Sequence, residues 1–349
     1  MLAHLVIAPS APSGAADSQP AASSLPAARP RVLFICGSMN QTTQLHAVAR
    51  ALDGVDASFT PFYGNGLYRT LRRLGLVEVT IGGHKRRGWC LDYLRAHQLD
   101  IDLDGARGGY DLVVICTDLE IPDNVAGAKL VVVQEGIFDP EGFAYRVCRR
   151  FPSWPRWLAG TAMTGLSGAY DRMCVASDGY RDHLVARGAD PATIAVTGIP
   201  NFDHCAGYYR NDFPHRNYVL VCTSDTRETL KLDSRTRFLA RCKQIAGDRP
   251  VIFKLHPNEN EARCTRDIRA VFPDALVYLK GSAEEMIANC DVLITQWSST
   301  VFVGLALGKE VYSNFDVDEL RRLCPVQNGG TSGQRIAEVC REVLAAPSR

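Results

Sequence analysis

Residues 251–263 read VIFKLHPNENEAR. An apolar run, Val251–Phe253, stops abruptly at Lys254. His256 then sits between a leucine and a proline, with Asn258 and Glu259 behind it and a polar, helix-compatible stretch after that. A short run that is apolar at every position, not at alternate ones, reads as a strand buried on both faces, the situation of a parallel sheet. In open parallel sheets ligands bind just beyond the carboxyl ends of the strands. Lys254, His256, Asn258 and Glu259 are therefore expected at the mouth of a cleft.

The same pattern repeats in both directions. Strand candidates are RVLFICG (31–37), DLVVICT (111–117), KLVVVQE (129–135), RMCVAS (172–177) and TIAVTG (193–198). After a turn-rich stretch come YVLVCTS (218–224), PVIFKLH (250–256), ALVYLK (275–280), DVLITQ (291–296) and EVYSNF (310–315). Amphipathic segments such as TTQLHAVARAL, DGYRDHLVARG, SRTRFLARCKQIA and AEEMIANC lie between them. Strand–helix alternation predicts an α/β fold, and the polar gap near 203–217 divides it into two Rossmann-like domains facing a cleft. The expected organisation is a disordered Ala/Pro/Ser-rich tail over 1–29, an acceptor-side domain over 30–205 and a donor-binding domain over 206–349.

Bulk composition excludes several classes. A formal net charge of +1 gives no general attraction to nucleic acid. The 12 cysteines are scattered singly, several within apolar runs, with no paired spacing that suggests a disulfide framework or a zinc site. That favours a reduced, cytoplasmic protein. No run approaches the roughly 20 apolar residues that span a bilayer. The entry CGSMNQTTQ (36–44) lacks both the phosphate-loop lysine pattern and GxGxxG, so neither ATP nor NAD is expected and no cofactor is predicted.

Other strand ends add chemistry. VCTSDTRE places Thr223, Ser224, Asp225 and Arg227 after one strand, and TQWSSTVF places Ser298, Ser299 and Thr300 where a helix should open. Free backbone N–H groups at a helix start, with the positive dipole end behind them, hold phosphate without a metal. An ordinary helix cap at Ser298–Thr300 and a structural His256 are the alternatives. Their joint occurrence at successive strand ends favours a ligand site. DLD (102–104) and DVD (316–318) match a two-carboxylate metal pattern, but such tripeptides are common by chance, the second reads as a helix cap, and no metal is predicted. GHKRRGWC (83–90) and RRFPSWPRWLAG (149–160) interleave basic and aromatic residues. They read as solvated loops with aromatic anchors or as a patch for peripheral contact with an anionic membrane or acceptor.

KLHPNE, followed about 40 residues later by SST…LALGKEV, resembles the nucleotide-diphosphate-binding domain of GT-B enzymes. It looks most like CDP-glycerol glycerophosphotransferases and capsule Kdo transferases, and more distantly like UDP-N-acetylglucosamine 2-epimerases. Residues 170–203 are similar in layout to the segment that closes the first domain of those epimerases. Two departures count against a standard epimerase. Ser298-Ser299 followed by Phe302-Val303 stands where epimerases carry Gly-Gly and paired glutamates, and Asp225 stands where they carry a histidine. In VVVQEGIFDPEGF, Glu135 resembles the acidic-Gly motif of the Kdo transferases and falls where epimerases place a catalytic glutamate. It is the expected general base, with a solvated loop acid as the alternative and Asp118 as the second choice. Ser38, Asn40, Gln41 and Thr42 could line the acceptor side.

The resemblance implies a metal-independent transferase moving a sugar or polyol-phosphate group from a nucleotide-activated donor to a glycan or lipid-linked acceptor. A nucleotide-sugar epimerase and a non-catalytic sugar-nucleotide-binding protein are its rivals.

Overall fold

A computed structural model describes residues 28–75, 78, 81–224 and 234–347. Residues 1–27 of the expected tail, and Asp225 and Arg227, lie outside the described residues.

Two separate parallel sheets form the frame. The first takes β1 (Arg31–Cys36), β2 (Asp56–Pro61), β3 (Leu112–Ile115), β4 (Lys129–Val133), β5 (Arg172–Val175) and β6 (Ile194–Val196) in the order β2-β1-β3-β4-β5-β6. The second takes β7 (Val219–Cys222), β8 (Val251–Lys254), β9 (Leu276–Tyr278), β10 (Val292–Thr295) and β11 (Glu310–Tyr312) in the order β11-β10-β7-β8-β9. All ten expected strands are present. The central ones are buried along their whole length, β3 and β10 at every residue, because sheet neighbours cover their edges and helices their faces. The strand missing from the sequence reading is β2. Its sequence, DASFTP, is half polar and ends in proline, as an edge strand tolerates and a central one does not.

In each sheet the strand order reverses once. In the first, β1 carries β2 on one side and β3 on the other. In the second, β7 carries β8 on one side and β10 on the other. At such switch points the connections leave in opposite directions and open a crevice at the carboxyl ends.

The two sheets share one continuous apolar cluster that runs from Leu33 and Val132 through Tyr180 and Phe202 to Leu220 and Phe302. The chain passes from the first sheet to the second through short turns between Pro200 and Tyr209. One element crosses back. Helix Ser332–Ala345 packs on helix Met39–Ala51 and on β4, and it inserts Ile336, Ala337, Val339, Cys340 and Val343 into the core of the first sheet. A boundary drawn once at 205/206 misses this return because helix periodicity tells which face is buried, not against what.

All 12 cysteines are free, and all but the half-buried Cys324 are buried. No helix among the described residues is long and apolar enough to cross a membrane. Both basic–aromatic stretches are structured: His84–Ala96 is a helix, and Arg156 and Trp157 open a 3-10 turn that packs on helix Phe143–Arg150.

Candidate active site

The site grows from the ends of β1, β3, β4 and β10. After β1 the chain turns at Ser38 into helix Met39–Ala51, and the Ser38 hydroxyl accepts the Gln41 N–H at 3.2 Å as the helix cap. The same hydroxyl donates to Glu135 Oε1 at 2.5 Å, while the Gln41 side chain donates to Oε2 at 2.6 Å. One helix start thus holds both oxygens of the carboxylate that follows β4. A fully buried glutamine fixes the other side of that turn: Gln134 donates to the Gly136 carbonyl at 2.8 Å and accepts from the Ala176 N–H at 2.9 Å. Gln44 in turn donates to the Gln134 carbonyl at 2.8 Å.

Glu135 and Gly136 form part of the wall of a cavity of about 550 Å³. Asn40 and Gln41 line it from β1, Cys116 and Thr117 from β3, and Trp297 and Ser299 from the second sheet. The domains touch here. A Cβ on Gly136 would come within 2.7 Å of Ser299 Oγ, so a larger residue here would force the Ser299 hydroxyl to move. Ser299 belongs to the Ser298–Thr300 turn, in which Ser298 and Thr300 share a hydroxyl contact at 2.9 Å and the Thr300 N–H donates to Ser298 Oγ at 3.3 Å. Helix Val301–Ala306 starts directly after it, as the sequence predicts.

The structure separates the expected residues into two groups. Glu135, Asn40, Gln41 and Ser299 meet at the cavity, with Ser38 behind them. Thr42 does not reach it: it is buried, and its hydroxyl donates to the Ser38 carbonyl at 2.8 Å. Asp118 has a structural place. Its side chain is fully buried, accepts the Gly165 and Ser167 N–H groups at 2.8 and 3.0 Å, and pairs with Arg156 at 3.3 Å. Those contacts secure the loop behind the cavity.

None of Lys254, His256, Asn258 and Glu259 lines this cavity. Burial lowers the Lys254 pKa, and its ammonium donates to the Leu255 and Leu279 carbonyls at 3.0 Å each, joining the ends of β8 and β9. Glu259 is a buried hub. It pairs with Arg235, accepts the Thr223 hydroxyl and takes the His256 N–H at 2.9 Å. The ring Nδ1 of His256 accepts the Asn258 N–H at 3.2 Å, which leaves Nε2 as the protonated nitrogen. Ser224, buried at the end of β7 between these residues and the Ser298 turn, has a hydroxyl with no hydrogen-bond partner among the described residues.

Sequence reasoning passed over several cavity residues. Glu120 lies two residues beyond Asp118 and lines the wall, and burial raises its pKa, with Asp123 adding to the effect. Its Oε1 accepts the Asn65 N–H at 3.0 Å. Arg86, from the basic stretch at 83–90, contributes a half-buried cation to the wall, and Trp157 packs edge-on to Tyr68 with ring centres 5.9 Å apart. The carboxylates of the two DxD tripeptides have protein partners. Asp102 accepts from Tyr110 at 2.5 Å, Asp104 pairs with Arg87 at 2.9 Å, and Asp316 caps helix Val317–Leu323.

No protein-family profile and no curated protein matches the sequence. Solved structures do match in fold. The S. aureus MnaA–UDP co-structure aligns over 92% of this chain and 98% of its own, with 10% identity and a TM-score of 0.57. The UDP-GlcNAc 2-epimerase of Neisseria meningitidis bound to UDP-GlcNAc aligns over 89% and 100%, with 10% identity and a TM-score of 0.55. The corresponding enzyme of Methanocaldococcus jannaschii, in complex with UDP-GlcNAc and UDP, aligns over 89% and 99%, with 13% identity and a TM-score of 0.54. The fold is the GT-B arrangement of two Rossmann-like domains.

Proposed function

We propose that this chain is a transferase that moves a sugar or polyol-phosphate group from a nucleotide-activated donor to a glycan acceptor, with Glu135 as the general base. The observation that carries this reading is the held carboxylate. Ser38 and Gln41 fix both oxygens of Glu135 on the wall of a cavity that Ser299, from the Ser298–Thr300 turn of the other domain, also lines. Each carboxylate oxygen keeps a free lone-pair site for a substrate hydroxyl.

The donor would lie over the second sheet. β10 and β8 are two strand spacings apart, about 10 Å, with β7 between them. A diphosphate over those ends meets the Ser298 and Ser299 N–H groups at one side, the Ser224 hydroxyl, unpartnered among the described residues, in the middle and His256 at the other. In the transfer, the acceptor hydroxyl gives its proton to Glu135 as its oxygen bonds to the transferred group. The bond to the donor phosphate breaks, and its electron pair leaves on the phosphate oxygen. Preorganised N–H donors at the turn stabilise that charge. No step uses a metal.

A second reading is a nucleotide-sugar epimerase, favoured by the solved structures with UDP or UDP-GlcNAc that share the fold over about nine-tenths of this chain. Product analysis separates the two. The protein is incubated with UDP-, CDP- and CMP-activated donors, with and without a mixture of oligosaccharide acceptors. The transferase reading expects nucleotide release that depends on acceptor. Acceptor-free conversion of UDP-GlcNAc to its 2-epimer, or to free sugar and UDP, would establish the second reading instead.

A further inference from the structure

A second, larger cavity of about 850 Å³ opens between the domains beside the first. Ile137, Phe138, Asp139 and Trp297 line both, so the loop that follows Glu135 is the partition between them. The far walls come from helix Asp178–Ala186 of the first domain and helix Val317–Leu323 of the second. The volume lies within the roughly 300–1,000 Å³ of pockets that hold drug-sized ligands, and it exceeds what one sugar ring needs.

Its chemistry is distinctive. Trp297 is 43% exposed and stands edge-on to Phe315, with ring centres 4.9 Å apart at 87°. Phe138 packs on Tyr180 in the same manner at 5.1 Å. These fixed aromatic walls suit the C–H faces of sugar rings. Around them stand five carboxylates, those of Asp139, Glu141, Asp182, Asp316 and Glu319, against the two guanidiniums of Arg187 and Arg322. One of the guanidiniums is already paired, Arg187 with Glu141 at 2.6 Å. Burial and the neighbouring Arg187 lower the His183 pKa, so the ring does not offset the excess negative charge at neutral pH. A negatively charged cavity repels a second nucleotide diphosphate, while carboxylates accept strongly from sugar hydroxyls.

We infer that the larger cavity is the acceptor site and takes uncharged or amino-substituted sugar residues of a glycan, passing a hydroxyl across Trp297 and Phe138 to Glu135. This rests on the transferase reading above and names the class of its second substrate. It also assigns helix Val317–Leu323 a binding surface, in Glu319 and Arg322, that the sequence reading treated only as a capped helix.

The test is a tryptophan-fluorescence titration of the full chain with N,N′,N″-triacetylchitotriose and maltotriose, run beside a calorimetric titration with UDP. Glu319→Lys and Asp182→Lys are the probing variants, because both side chains are exposed and their substitution leaves the core untouched. The expected result is saturable binding of at least one trisaccharide, weakened tenfold or more in each variant, with UDP affinity changed less than twofold. No saturable binding by the wild type, or binding indifferent to both variants, overturns the inference. A UDP stoichiometry of two that falls to one in Glu319→Lys overturns it as well, since the cavity would then be a nucleotide site. UDP binding without trisaccharide binding sinks this inference alone. Trisaccharide binding without affinity for UDP or any other activated donor removes the transferase reading and leaves the saccharide site standing.

Discussion

Three carboxylates within 18 positions of one another show how far residue type and strand position can be read. Glu135 was legible because a glutamate directly after a fully buried strand, with a glycine behind it, has few places to point except the cleft. Asp118 follows a strand in the same way, yet it is turned into the protein by two N–H groups and Arg156. Those partners lie 38 to 49 residues downstream, and nothing local announces them. Replacing Asp118 by Asn should leave the Arg156 charge unpaired and set an amide NH₂ against one of the two backbone N–H donors. A loss of about 3 kcal/mol in urea denaturation is expected, in the range for a broken buried pair. A change below the error of the fit would mean the loop is held by other contacts. Glu120 gives the opposite case, an acid two residues on that reaches the cavity. Its folded pKa is raised by burial above its unfolded value, so the folded state binds the proton more tightly. Its contribution to stability is therefore complete below the unfolded pKa of about 4.5 and declines as pH rises past it. Glu120→Gln should gain stability relative to wild type between pH 4 and pH 8, measured by melting temperature across that range. A constant difference would contradict the assignment.

At the scale of elements, strands were read well and packing partners were not. Continuous Val/Ile/Leu runs located ten strands, since burial on both faces leaves little room for polar residues. The half-polar edge strand β2 carried no such signal, and the return of helix Ser332–Ala345 to the first domain carried none at all. A close helix approach between domains is similarly silent in sequence. Gly179, in helix Asp178–Ala186, would place a Cβ 2.1 Å from the Arg322 carbonyl oxygen, a backbone atom that cannot rotate away. Ser177 fastens the same junction by donating to the Leu323 carbonyl at 3.1 Å. Gly179→Ala should push the two helices apart and cost about 1–3 kcal/mol, as overpacking does. It should also widen the larger cavity, so thermal unfolding and trisaccharide affinity are to be measured together. An unchanged melting temperature would show that the junction is looser than this geometry requires.

For the whole molecule, two sheets each reverse order once, and the cavity at Glu135 draws its walls from strand ends of both. The sequence makes the two halves legible, and it sets Glu135 and the Ser298–Thr300 turn at strand ends of different sheets. It does not show that Lys254 and Glu259 are occupied in holding the ends of β7, β8 and β9, because a buried ion pair and a ligand site draw on the same residue types. The central claim is that Glu135 handles the proton at this junction while the donor phosphates are held by the other domain. The most direct measurement is kcat together with donor Kd for Glu135→Gln, a substitution that keeps size and most hydrogen bonds but removes basicity. The account predicts a fall in kcat of about 10²–10⁴, the usual contribution of a general base, with donor Kd within a few-fold of wild type. Turnover within a factor of a few of wild type would contradict it.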